Sequence, residues 1–132
     1  MRRILSLLLS VLTLGAVSCA GSNVTDVDVD DFAACVAGDS AQLLDVRTAQ
    51  EYAEGHLDGA LNIDMKQDGF IDAALQALDK SRPVVVYCRS GRRSATAGGW
   101  LEEAGYSVLN MKGGILAWRE AGKPISTDTE PQ

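Results

Sequence analysis

The sequence predicts an α/β fold with a mainly parallel central sheet flanked by helices, and three observations point to it. Short runs rich in β-branched and apolar residues alternate with helical segments, at Gln42–Val46, Ala60–Ile63, Val84–Tyr87 and Ser107–Leu109. The Val84–Tyr87 run is apolar at every position, the pattern of a strand covered on both faces. Phe70 to Leu78 carries apolar residues at 70, 71, 74, 75 and 78, which form one face of a helix. At 132 residues and 46% hydrophobic content, the chain suffices for one domain with one core.

Met1-Arg2-Arg3 precedes an apolar run from Ile4 to Val17, broken only by Ser6, Ser10 and Thr13. A basic start, a short apolar run and small residues after it read as an export signal over residues 1–18. The run falls short of the ~20 residues a membrane-spanning helix needs. Ala16-Val17-Ser18-Cys19 resembles the lipobox of bacterial lipoproteins. That resemblance implies a mature chain beginning at a lipidated Cys19, exported in a bacterium and anchored on the periplasmic or outer-surface side of a membrane.

Residues 19–23 read as a tether, followed by a domain over 24–126 and a polar, flexible tail over 127–132. Val24 to Val29 is an imperfectly alternating edge strand. Asp30 or Asp31 caps a helix reaching Val36, and Gly38 ends it. After the Gln42–Val46 strand, Thr48-Ala49-Gln50-Glu51 has the capping-box pattern and opens a short helix through Glu54, stopped by Gly55. Ala60–Ile63 is a brief strand. Asp68-Gly69 turns the chain into the Phe70–Leu78 helix, and Pro83 opens the central strand. A helix after Ser94 runs to about Ala104, weakened by Gly98 and Gly99, with Gly105 at its end. Ser107–Leu109 is the last strand, Gly113-Gly114 a turn, and Ile115–Glu120 a short helix stopped by Gly122 and Pro124.

The net charge is −6, and removing residues 1–18, with two arginines and no acid, takes it to −8. An acidic surface argues against nucleic acid as a partner. Against that background Arg89, Arg92 and Arg93, clustered around Gly91 just after Cys88, stand out. A strand, a glycine-containing loop and a helix start place the Cys88 thiol at the carboxyl end of a sheet, where ligands of α/β proteins sit. Loop N–H groups turned inward make an anion nest, which with nearby guanidinium groups favours a thiolate. The plainer alternative is a buried structural cysteine beside surface arginines, and the conjunction of strand, glycine and arginines argues against it. Cys35 reads as a small core residue. With Cys19 in the leader region, the cysteines form neither a disulfide framework nor a metal site, and no cofactor is implied.

Cys88-Arg89-Ser90-Gly91-Arg92-Arg93-Ser94 resembles the active-site loop of the rhodanese family of sulfurtransferases. Leu44-Asp45-Val46-Arg47, Glu51-Tyr52, Gly55-His56, Gly59-Ala60 and Asn62-Ile63 resemble that family's amino-terminal signature. Gly113 to Trp118 and Ala121-Gly122-Lys123-Pro124 resemble its carboxyl-terminal one. The match covers Val24 to Ile125 and implies a single three-layer rhodanese-like domain. It implies Cys88 as a nucleophile that becomes a persulfide, with residues 89–94 binding a small anionic sulfur donor such as thiosulfate. A thiol, cyanide or a protein would then accept the sulfur. The rivals are a persulfide carrier, a non-catalytic binding module, and a phosphatase or arsenate reductase, whose loops resemble this one lengthened by one residue. Asp45 and Arg47 read as loop supports, His56 as part of a turn, and Trp100 and Trp118 as core.

Overall fold

The computed structural model describes residues 24–128. The expected leader over 1–18, the expected lipidation at Cys19 and the expected tether over 19–23 lie outside the described residues. Five strands form one parallel sheet in the order β1-β5-β4-β2-β3, comprising β1 (Thr25–Val27), β2 (Gln42–Asp45), β3 (Leu61–Asn62), β4 (Val84–Tyr87) and β5 (Val108–Met111). The helices are α1 (Val29–Ala37), α2 (Ala49–Glu54), α3 (Phe70–Ala77), α4 (Arg92–Glu103) and α5 (Gly114–Glu120). The expected α/β class with a parallel sheet is the observed one.

Side-chain alternation along β4 divides the core into two layers. Val84, Val86 and Cys88 face one side, packing with Phe70 and Ala74 of α3 and with Ala97 and Leu101 of α4. Val85 and Tyr87 face the other, with Phe32 of α1 and Ile115 and Trp118 of α5. Both layers are apolar, which is why β4 reads as an unbroken apolar run. β2 and β4 are neighbours, yet the chain leaves β2 for α2 on one face and β4 for α4 on the other. Such a divergence opens a crevice at the carboxyl ends of the strands.

Several boundaries differ from the sequence expectation. α1 starts at Val29 because Asp28, rather than Asp30 or Asp31, accepts the Asp31 N–H at 2.8 Å. The two later aspartates occupy the first turn, where they favour the positive helix end. β5 runs on through Asn110 and Met111. α4 starts at Arg92 with Gly91 as its left-handed cap (φ 98°), so Arg92, Arg93 and Ser94 belong to the helix rather than to the loop before it. Trp100 is 40% exposed and meets Phe70 edge-on, 6.0 Å between ring centres, so it is not core, whereas Trp118 is buried. Among the described residues no helix is long and apolar enough to cross a membrane.

A buried polar knot ties β2 to β4 below the crevice. Asp45 and Arg47 are 0% and 4% exposed. The Arg47 guanidinium donates to Asp45 Oδ2 at 2.6 Å, to Asp45 Oδ1 at 3.0 Å and to the Gly55 carbonyl at 2.7 Å. The Tyr87 hydroxyl donates to Asp45 Oδ2 at 2.6 Å and accepts the Leu57 N–H at 3.0 Å. Burial and the Asp45 charge push the Tyr87 phenol well above its ordinary range, so the hydroxyl keeps its proton. Tyr87→Phe removes both bonds and strands a buried N–H. It is expected to cost about 1–3 kcal/mol of stability, measured by denaturant unfolding. Unchanged stability would show that the knot is not fastened through this hydroxyl.

Candidate active site

Cys88 follows β4 directly, and its residue is 1% exposed. Its Sγ accepts the Gly91 N–H at 3.1 Å and the Ser94 hydroxyl at 3.3 Å. Burial pushes the thiol up. The Ser94 hydroxyl and the N–H groups of Ser94, Gly91 and Ser90 outweigh it, and the net position is below that of an ordinary thiol. These donors belong to the loop and the first turn of α4, so backbone curvature sets the chemistry.

That curvature has identifiable supports. Gly91 takes φ 98°, and a Cβ there would lie 3.2 Å from the Gly113 nitrogen and 3.3 Å from the Met111 carbonyl. Gly114, at φ 60°, sits against the Cys88 and Arg89 carbonyls so closely that a Cβ would overlap both. The next two N–H groups fasten the contact, Ile115 to the Cys88 carbonyl at 2.9 Å and Leu116 to the Arg89 carbonyl at 3.2 Å. Asn110 holds the loop from below, donating through Nδ2 to the Gly91 carbonyl at 3.1 Å and to Asp26 Oδ1 at 2.9 Å.

The three arginines have different placements. Arg93 faces Glu51 of α2 in a two-point pair, Nη1 to Oε1 and Nη2 to Oε2, both 2.8 Å. This pairing with Arg93 is the largest influence on the Glu51 carboxyl, which is held at about 2. Arg89 and Arg92 are exposed and make no side-chain hydrogen bond or ion pair among the described residues. No guanidinium hydrogen-bonds the sulfur among the described residues. Ser90 is exposed, while Gly91 and Ser94 complete the cradle.

Asp45 and Arg47 sit in the buried knot and make no hydrogen bond to Cys88. Arg47 also stands at the wall of a cleft of about 260 Å³ shared with Glu51, Arg89 and Arg119, which takes in Arg89 of the loop but not Cys88. A larger cleft, about 620 Å³, is lined by residues 65–72 and Trp100 and includes none of residues 88–94, so the chemistry lies elsewhere. His56 is 2% exposed, stacked on Tyr52 at 3.6 Å, with Nδ1 2.7 Å from the Tyr52 carbonyl, and the chain pairs there with Ser126. It serves the turn. Cys35 is buried beside Phe32 on the far side of the sheet, as expected of a core residue, but it is disulfide-bonded where the sequence predicts an unbridged thiol, so Cys88 is the one free cysteine among the described residues. No His/Cys/Asp/Glu group among the described residues could hold a metal ion.

The rhodanese-like domain pattern matches residues 28–121. The chain belongs to the rhodanese-like family. A sulfurtransferase of Allochromatium vinosum is 38% identical to this chain over 104 residues, covering 77% of it and 94% of the relative. A thiosulfate sulfurtransferase of Shewanella oneidensis is 33% identical over 102 residues, covering 76% and 97%. The solved structure of a rhodanese-like domain protein from Staphylococcus aureus matches with a TM-score of 0.67 and 28% identity, covering 80% of this chain and 99% of that one. This rhodanese-like domain therefore has sulfurtransferase relatives that match it across most of their length.

Sequence reasoning missed three residues that stand around the reactive loop or the cleft beside it in this rhodanese-like domain. Glu51 read as a capping-box residue, which it also is, and as part of the amino-terminal signature, with no sign of its pairing with Arg93. Asn110 lay beyond the expected end of its strand. Arg119 carried no local signal, because its neighbourhood is assembled by the fold. The donors at Cys88 Sγ give a direct expectation. The alkylation midpoint of Cys88 should lie below the ~8.5 of a free cysteine, and Ser94→Ala should move it up. A midpoint at or above the free value in the unmodified protein, or no movement in the variant, would contradict the cradle.

Proposed function

We propose that the protein is a sulfurtransferase that carries sulfane sulfur as a persulfide on Cys88. The observation that carries this reading is a buried free thiol whose sulfur accepts a backbone N–H and a hydroxyl inside a loop of inward N–H groups. The Cys88 thiolate attacks the outer sulfur of an anionic donor such as thiosulfate. The new bond joins Sγ to that sulfur, and the donor's S–S bond breaks with its electron pair leaving on sulfite. The nest then holds the terminal sulfur until a thiolate or cyanide attacks it and the Cys88 thiolate departs. Neither half needs a proton removed from the nucleophile, which agrees with the seclusion of His56.

Loop size supports sulfur over phosphate. Four residues separate Cys88 from Arg93, and the Arg93 guanidinium is taken by Glu51. A small nest suits one terminal sulfur better than a phosphate with three oxygens to satisfy. The expected result is thiocyanate formed from thiosulfate and cyanide, lost in Cys88→Ser and largely kept in Cys35→Ser. Mass spectrometry after thiosulfate alone should find one added sulfur on Cys88. Phosphate release from an aryl phosphate that disappears in Cys88→Ser would overturn the assignment, and absence of both activities would favour a binding module.

We also propose that the domain is exported in a bacterium and held at a membrane through a lipid on Cys19. Arg2-Arg3, the Ile4–Val17 run and Ala16-Val17-Ser18-Cys19 support this. The mature chain should begin at Cys19, carry a thioether-linked lipid and fractionate with membranes. A soluble full-length chain would reject the anchor. The Cys35 disulfide is the competing arrangement, since a lipidated sulfur cannot join a disulfide: a mature chain in which Cys35 stays bridged to Cys19 would reject the anchor, and a free Cys35 thiol in it would support the anchor.

A further inference from the structure

Asn110 is the one polar residue of β5. Val108 packs in the layer that holds Cys88 and α4, so Asn110, two positions on, faces the same side of the sheet. It lies in register with Val86 of β4, two residues before Cys88, and on its other flank with Asp26 of the edge strand β1. Asn110 is 2% exposed. Its Nδ2 donates to the Gly91 carbonyl at 3.1 Å and to Asp26 Oδ1 at 2.9 Å, while its Oδ1 is buried with no hydrogen-bond partner among the described residues. A buried amide ordinarily uses its oxygen. Here two acceptors face it, and only the NH2 edge can meet both. One of them is a carboxylate, which strengthens the bond it receives. Asp26 is exposed, and this bond to Asn110 is the one its side chain makes among the described residues.

We propose that Asp26 and Asn110 are a positioning pair for Cys88: the Asp26 carboxylate fixes which edge of the Asn110 amide faces the loop, and the amide holds Gly91 where its N–H meets Sγ. Gly91 needs such a hold. Its φ of 98° is one of several conformations that glycine populates readily. Asn110 fixes the carbonyl of this residue, and the N–H of the same residue lies 3.1 Å from Sγ. Without Asp26 the amide is free to turn its unpartnered oxygen toward a donor. An oxygen turned toward the Gly91 carbonyl would repel it and draw the loop back from Sγ. The charged groups around the sulfur do not share this task. Arg93 of α4 is paired with Glu51 of α2, and Arg89 and Arg92 are exposed. By charge alone Asp26 disfavours a thiolate nearby, whereas by orienting Asn110 it favours one. The two effects have opposite signs, so an experiment can tell them apart. The effect on the thiolate stands without the sulfurtransferase reading, and the effect on turnover rests on it.

The test is the rate of alkylation by iodoacetamide against pH, read at Cys88 by mass spectrometry in the full chain. Asn110→Ala should raise the midpoint by about one unit, the worth of one hydrogen bond to a charged group. Asp26→Ala should raise it too, by less. Asp26→Asn keeps an acceptor oxygen and drops the charge, so its midpoint should be no higher than in the unmodified protein. The double variant Asp26→Ala with Asn110→Ala should rise no further than Asn110→Ala alone, because Asp26 acts through Asn110. A midpoint that falls or stays in Asp26→Ala would show that Asp26 acts by charge or not at all, and would overturn the pair. So would an unmoved midpoint in Asn110→Ala, additive rises in the double variant, or a rise in Asp26→Asn equal to that in Asp26→Ala. Asp26 is exposed, so its variants decide the question even where Asn110→Ala fails to fold. Thiocyanate formation separates the two layers of inference. Below the midpoint, kcat/KM for thiosulfate should fall up to about tenfold in Asn110→Ala, the change in thiolate fraction that one unit makes, and recover at high pH. A loss equal at every pH would overturn the positioning role. If the unmodified protein forms no thiocyanate, the sulfurtransferase reading falls and the midpoints still decide the pair.

Discussion

A sulfur anion buried to this degree draws little stabilisation from water, so the protein must supply the donors. That constraint organises the upper half of the molecule. The donors are the N–H groups of residues 90, 91 and 94 and the Ser94 hydroxyl, and they converge only if the chain reverses within three residues of Cys88. The reversal requires Gly91 at positive φ, a conformation that costs other residues about 1–3 kcal/mol. It also requires close packing of the loop carbonyls on Gly114, where no side chain fits. Asn110 in β5 and the first turn of α5 then hold the curve from two directions. The Gly113-Gly114 pair of the carboxyl-terminal signature is therefore part of the cysteine's environment, although 24 residues separate it from Cys88.

The buried knot is a different kind of constraint. A buried ion pair is weak evidence of stability, since desolvation offsets much of its attraction. Its geometric consequence is clearer. Arg47 binds the Gly55 carbonyl at the end of α2, and Tyr87 binds the N–H of Leu57 just beyond. The short helix is thereby fixed relative to β2 and β4, and Glu51 at its first turn reaches Arg93 at the start of α4. A six-residue helix has little stability of its own, so its position depends on these attachments and on its capping box.

Much of this was legible in residue order. The apolar run of β4, the alternation of strands and helices and the Thr48 capping box are local signals, and each corresponds to an observed element. The boundaries that moved did so where a side chain or a tertiary contact decides. Asp28 and the two aspartates after it are equivalent as capping types, and only the bond to the Asp31 N–H distinguishes them. The last strand is expected from the sequence to end at Leu109, and Asn110 extends it where Asp26 and the Gly91 carbonyl hold its amide. Trp100 lies on an apparently apolar stripe, but α4 is covered by a short α3 that leaves the indole 40% exposed. Which arginine faces which partner was not legible at all. Arg89, Arg92 and Arg93 lie within five residues of one another in sequence, and one is committed to Glu51 by a helix 42 positions earlier.

These placements divide the work of the site between two kinds of group. Contact with the sulfur is given to backbone N–H groups and one hydroxyl, which are neutral, fixed in direction and unaffected by what binds above. Guanidinium groups stand around this cradle. Arg93 holds α2 against α4 through Glu51, and Arg89 and Arg119 line the neighbouring cleft. A guanidinium placed directly on Sγ would stabilise the thiolate further but would also weaken it as a nucleophile, because nucleophilicity falls as the thiol pKa falls. Amide and hydroxyl donors lower the pKa against the upward push of burial without that excess. The groups that touch the sulfur and the charges that stand apart from it are thus different residues, so the two can vary independently on one fold.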